Sequence, residues 1–360
     1  MKGFLMNYKL LIPMLICLGS TLFANGYNQQ NNSAPANAEP AINTQNSQPE
    51  IWNFRPDNQE AWWKISATLL YWKPYEGALD YVISGTQPNF VPGQADQGAI
   101  GDLKSAELNF CPGYRLNLAY TLFPDRWGLE GIYTYFYSSG NDSEKSPISG
   151  TFDQKTGPEF LSARSHIRLN YNVAELMLTS FWTLRKNVLG SLQGGVVGAW
   201  VHQHWNFKYN GITGINKYHH SWEFDGAGLK AALGLDWYID YGFSFLTKIG
   251  LASIYGNYQS QNKGTVKELA NNNDYILINI RNHDHRFSFS PQFFLGLVWG
   301  KIFDNWGLSL SLGYESQIWL NLQEIYSSFL ETDPRDGKVV LLKRGALGLH
   351  GLNAMVELLF

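Results

Sequence analysis

From Trp62 onward, apolar and polar residues alternate along the chain with a period of two. In FSFSPQFFLGLVW, Phe287, Phe289, Phe293, Leu295, Leu297 and Trp299 share one parity, while Arg286, Ser288, Ser290, Gln292 and Gly296 hold the other. WGLSLSLGYESQIW repeats the arrangement: Trp306, Leu308, Leu310, Leu312, Tyr314 and Ile318 oppose Ser309, Ser311, Gly313, Glu315 and Gln317. Successive side chains of a strand point to opposite faces, so each segment has one apolar and one polar face. A soluble sandwich would show the same period, and length separates the two. Soluble strands run about 5–6 residues, whereas these runs reach ten or more, enough to cross a bilayer at a tilt. Their apolar faces also tend to end in Trp or Tyr, as at Trp63, Tyr71, Tyr114, Tyr120, Tyr255, Trp299, Trp306 and Tyr314, the girdle pattern of a transmembrane barrel. Open edges are not tolerated in lipid, so the sheet must close.

The pattern predicts an all-β, antiparallel, up-and-down transmembrane β-barrel of about ten strands, near 62–73, 105–121, 127–137, 164–180, 188–208, 221–239, 243–258, 285–300, 306–320 and 346–360. Short turns are expected at 123–126, 183–187, 240–242 and 302–305, and long polar external loops near 74–104, 138–163, 209–220, 259–284 and 321–345. Short periplasmic turns and long external loops are the asymmetry of outer-membrane barrels. Apolar parity shifts near 173–175 and 226; these read as β-bulges. A hairpin hidden in a long loop would raise the count to twelve or more.

Composition sharpens the class. Charged residues are only 16% of the 360, well under the roughly 25% of a soluble domain, and aromatics reach 15%. The formal net charge of −3 comes with no basic block, so nucleic acid is not an indicated partner. Residues 1–24 place Lys2 and Lys9 before LLIPMLICLGSTLFA, an expected signal peptide cleaved near Ala24. Residues 25–60 are rich in Asn, Gln, Ser, Ala and Pro and read as a disordered polar lead; 61–360 is the barrel. Cys111 is then the one cysteine left after cleavage, without an intramolecular partner.

If the aromatic parity faces lipid, the other parity names the lumen. It comprises Lys64, Arg115, Arg164, Arg168, Lys230, Lys248 and Arg286 against Glu107, Glu130, Glu175, Asp236, Glu315 and Glu357, joined by amides such as Asn170 and Asn172. The signs nearly balance, so no strong ion preference follows. Ten strands lie near the limit at which side chains fill the interior. Charges paired across a filled lumen and a water-filled channel therefore both remain open. His202, His204, His219 and His220 have a spacing that permits nitrogen ligation without diagnosing it. Asp284 beside His283 and His285 would need further acids to activate water, so a hydrolase is a remote alternative. Phosphate loops, dinucleotide fingerprints and nucleophile elbows are absent; no cofactor or metal is expected.

SATLLYWKPYEGALDYV, CPGYRLNLAYTLFPDRWGLEGIYTYFY, WEFDGAGLKAALGLDWYIDYGFSFLTKIGLASIYGNY and LHGLNAMVELLF, in that order, resemble the major-outer-membrane-protein-like family of Legionella and chlamydia-related bacteria. The likeness runs from Trp62 to Phe360. It implies a pore-forming outer-membrane barrel admitting small hydrophilic solutes by passive diffusion, and it makes no enzyme of the chain. The chlamydial members are rich in cross-linked cysteine, and this chain departs from them there. The competing expectation is a plugged structural or adhesive barrel that meets host surfaces or copies of itself through its loops. Val356, Leu358 and Phe360 on the final apolar face resemble the signal read by barrel-assembly machinery.

Overall fold

A computed structural model of the chain describes residues 62–85, 101–123, 127–152, 160–212, 214–270, 272–303, 306–328 and 340–360. The expected signal peptide and polar lead lie outside these residues. Twelve strands are present: β1 (Trp63–Glu76), β2 (Asp80–Ser84), β3 (Asp102–Ser105), β4 (Cys111–Phe123), β5 (Trp127–Gly150), β6 (Phe160–Arg185), β7 (Val188–Gly211), β8 (Gly214–Asp240), β9 (Phe243–Glu268), β10 (Asp274–Ile302), β11 (Gly307–Ser328) and β12 (Val340–Leu359).

Ten of them close a ring in the order β1-β4-β5-β6-β7-β8-β9-β10-β11-β12, with β12 returning to β1. Each neighbour pair is antiparallel. The remaining two form a hairpin, and β2 joins the far end of β5 through Val82↔Gly150 and Ser84↔Ile148. The hidden hairpin thus exists, yet the barrel closes with ten strands.

The strands are longer than a membrane requires. β8 has 27 residues and β10 has 29, whereas about 9–11 suffice to cross. At about 3.3 Å per residue, 27 residues run roughly 90 Å along the strand. Segments 138–150, 209–211, 214–220, 259–268 and 274–284, expected as loop, are therefore barrel wall. One end carries the short turns at 186–187 and 241–242, together with the paired ends Trp63 and Phe360; by the asymmetry of such barrels it is the periplasmic end.

Large apolar side chains on the outer face mark the membrane-spanning segments. They include Leu116 and Leu118 on β4, Leu176 and Leu178 on β6, Leu229, Leu233 and Trp237 on β8, and Phe293, Leu295 and Leu297 on β10, all exposed. On the external side this belt ends at a row running from Tyr133 through Ala174, Gly198, Ala227 and Tyr255 to Phe287. Beyond that row the apolar face changes sides. On β6 the buried residues become Val173, Tyr171, Leu169 and Ile167, while Asn172, Asn170, Arg168 and Arg164 turn outward. On β8 they become Phe224, Trp222 and Tyr218. Neither site is a bulge: the ladders pass Val173–Glu175 and Gly226 without a register shift. The strand keeps its pleat, and its apolar side moves from lipid to protein core as it leaves the bilayer. A true irregularity occurs between Trp319 and Gln323, where Asn321 holds φ 64°.

Glycine permits neighbouring strands of this wall to approach closely. A Cβ on Gly195 would collide with the Leu176 carbonyl oxygen, and one on Gly228 with that of Ser253.

Candidate functional site

The lumen has two storeys. The lower one, level with the lipid belt, is polar and charge-paired. Arg115 donates from both terminal nitrogens to the Glu315 carboxylate, each at 2.9 Å, and Asn353 donates to the same carboxylate. Lys230 donates to both oxygens of Glu175 at 2.8 Å, and Lys64 lies 3.2 Å from Glu357. Gln193 donates to Glu130 at 3.2 Å. A cavity of about 140 Å³ remains among Arg115, Glu130, Glu175, Lys230 and Lys248. Asp236 also stands on the inner parity.

The upper storey is aromatic. Tyr171 on β6 meets Trp319 on β11 with ring centroids 5.9 Å apart. These strands are five places apart in a ring of ten, so the contact spans the lumen. Trp72 packs on Phe136 at 5.7 Å and on Tyr171 at 6.4 Å. It donates its indole N–H to Asn353 at 2.9 Å. Tyr171 donates to Gln317 at 3.2 Å, again across the barrel. Leu347, Leu349, Ile254 and Phe224 belong to the same buried apolar cluster. Above it Gln203 and Gln323 donate to the buried Glu76 carboxylate. The hairpin then adds Leu79, Tyr81 and Val82 over Trp205, Phe207 and Tyr209.

On the inner face of β10, Arg286 donates to Asp284 and to Glu324, both nitrogen–oxygen distances from Nε and Nη2 being 2.8 Å. Its guanidinium lies 3.7 Å from the Tyr258 ring centroid. Arg344 completes the group with a 3.0 Å bond to Glu324.

The positions expected in the lumen divide accordingly. Lys64, Arg115, Glu130, Glu175, Lys230, Asp236, Lys248, Arg286, Glu315 and Glu357 stand on the inner face. Arg164 and Arg168 do not: they stand on the outer wall, because β6 has already left the lipid at that height. Glu107 is outside the ring altogether, in the segment leading to β4, exposed and 3.1 Å from Lys73. The residues that parity reasoning missed are those of the aromatic layer. Their signal was the change of apolar parity itself.

The histidines do not converge. His220 is buried inside, its Nδ1 hydrogen-bonded to the Asn262 side-chain oxygen, while His202, His204 and His219 face outward. Asp284 points inward to Arg286, whereas His283 and His285 lie on the opposite face of β10. Among the described residues no group of three or more His, Cys, Asp or Glu is placed to hold a metal ion.

His220 lies in the wall above the membrane, and burial pushes its imidazole down to about 4. Its neutral form is thus tied to folding, and that stability is lost as pH falls from about 6.5 through 4. Between pH 7 and pH 5 the native barrel should lose about 1–2 kcal/mol more than His220→Phe does; urea midpoints at the two pH values check this. Equal losses would show that His220 does not titrate across the transition.

A family model described as Legionella pneumophila major outer membrane protein precursor matches residues 55–356. The chain belongs to this outer-membrane protein family. No curated protein sequence matches. Among solved structures, the chain is similar to the outer membrane protease OmpT of Escherichia coli, at 10% identity and a TM-score of 0.40, covering 85% of this chain and 97% of that one. The Pseudomonas putida toluene transporter TodX follows at 9% identity and 0.24, covering 88% and 92%. Ail of Yersinia pestis gives 10% and 0.18, covering 82% and 97%.

Proposed function

We propose that this outer-membrane barrel is closed at rest and acts as a surface protein through its tall external wall, not as an open diffusion pore. The observation that carries this reading is the Tyr171–Trp319 contact between diametrically opposite strands. Water-filled porins usually have sixteen or more strands, and near eight the side chains fill the interior. With ten strands the interior here is filled twice over, by paired charges below and by apolar rings above.

A second reading has its own support. The lower storey keeps a polar cavity of about 140 Å³, which a purely structural plug does not need. Movement of the aromatic layer would join that chamber to the outside and yield a narrow, gated route for small hydrophilic solutes. Liposome swelling separates the two. Vesicles containing the purified barrel should swell no faster in a pentose solution than protein-free vesicles. Rapid swelling with the native chain would overturn the closed state.

A further inference from the structure

The outer wall above the lipid carries a row of like charges. Arg164 on β6 stands opposite Lys208 on β7, and Lys208 stands opposite Lys217 on β8. One row nearer the membrane, His166, Asn206, His219 and Lys263 follow in register across β6 to β9. Arg168 begins the next row. Like charges placed directly opposite on a sheet are destabilising, and no acid of these rows offsets them. Among the described residues, Arg164, Lys208, Lys217 and Lys263 have no ion-pair or hydrogen-bond partner. Arg168 bonds only to His166, at 2.6 Å. Of the nearby acids, Glu223 and Asp225 lie nearer the lipid, with Asp225 3.2 Å from His202, and Asp142, beside the cations, accepts a hydrogen bond from the Tyr81 hydroxyl at 2.8 Å.

The cations also frame a hollow. A cavity of about 890 Å³ lies against the outer face, lined by Arg164, Lys208, Lys217, Lys263, His166 and His219 among others. Burial holds the His219 imidazole below its ordinary range, with His204 and Lys263 adding to the effect. With four cations and one acid, Asp142, in its lining, the hollow carries net positive charge and is large enough for a headgroup.

Height selects the occupant. Arg168 is six residues past Ala174 in the girdle row, and Arg164 is ten residues past it. On strands tilted by about 40°, those positions stand roughly 15–25 Å above the girdle. A phospholipid headgroup layer reaches only about 5–8 Å beyond the hydrocarbon. An anion held at this height and still anchored in the membrane must sit on a longer, multi-sugar headgroup.

We propose that the outer wall of β6 to β9 binds the phosphorylated oligosaccharide headgroup of an outer-leaflet glycolipid. Arg164, Lys208, Lys217 and Lys263 take the phosphates, and the adjoining apolar belt takes the acyl chains of the same lipid.

The test uses the full-length, folded chain in detergent, titrated with rough lipopolysaccharide bearing a phosphorylated core and read by native mass spectrometry. Each cation near an anionic surface contributes about fivefold in affinity. The variant carrying Arg164→Gln, Lys208→Gln, Lys217→Gln and Lys263→Gln should therefore bind at least about 30-fold more weakly. Arg185→Gln with Lys301→Gln, at the opposite end, should bind as the native chain does. Heat-modifiable migration verifies folding; should the fourfold variant fail it, Lys208→Gln with Lys217→Gln should still show a loss of at least about tenfold. Equal binding by native and variant barrels overturns the proposal. So does equal binding of phosphatase-treated lipopolysaccharide. Equal affinity for the delipidated core oligosaccharide would show a site for soluble polyanions and overturn the lipid assignment.

Discussion

A barrel carrying Trp72→Ala, Tyr171→Ala and Trp319→Ala together is expected to conduct ions where the native barrel does not. These three side chains are each no more than 2% exposed and form one layer from β1 through β6 to β11. Their truncation removes the rings that meet at the barrel axis and leaves the ten-strand ladder untouched. Each change costs about 3–5 kcal/mol if the cavity stays dry. In a barrel the cavity instead adjoins the polar chamber below, and entering water limits the loss. Planar-bilayer recordings on protein that retains heat-modifiable migration should show steady unitary steps for the triple variant. A folded but silent triple variant would mean that the charge-paired storey blocks the route by itself.

The second large effect concerns that lower storey. Arg115→Ala should destabilise the barrel by about 3–5 kcal/mol, because it leaves the Glu315 carboxylate buried without its cation. Glu315 is 5% exposed, and its other described donor is Asn353. The double variant Arg115→Met, Glu315→Leu removes both charges and should return to within about 1–2 kcal/mol of the native barrel. Urea unfolding in lipid vesicles measures both. A single-variant loss below about 1 kcal/mol would show that water already reaches Glu315, the mark of an open lumen. The two predictions thus probe one question from opposite storeys.

The fold was legible because lipid imposes so strict a pattern. Leu352, Ala354, Val356, Leu358 and Phe360 face outward, and Gly351, Asn353, Met355 and Glu357 inward, as their alternation requires. The ring of ten follows from counting such runs. Less was legible above the membrane, where the solvent outside the sheet is water and the apolar face turns inward. Parity there has the opposite meaning. Reading Arg164 and Arg168 by the rule that holds for Leu176 and Leu178 placed them in the lumen, whereas they belong to the wall. The same reversal hid the plug, since nothing in the local alternation shows that Tyr171 and Trp319 meet across the barrel. The runs at 214–220 and 274–284 looked like loops because a strand with a wet outer face loses the regularity that lipid enforces, and in the second the apolar residues Tyr275, Ile276, Leu277 and Ile278 follow one another without alternation, across a register shift. Glu324, the buried partner of Arg286 and Arg344, follows the irregularity at Asn321, where simple alternation fails.

Single-channel recording of the native chain in planar bilayers tests the closed barrel most directly. Protein shown to be folded by heat-modifiable migration should insert without steady unitary currents at moderate voltage, even at high protein concentration. Stable, reproducible conductance steps from the native chain would contradict the account.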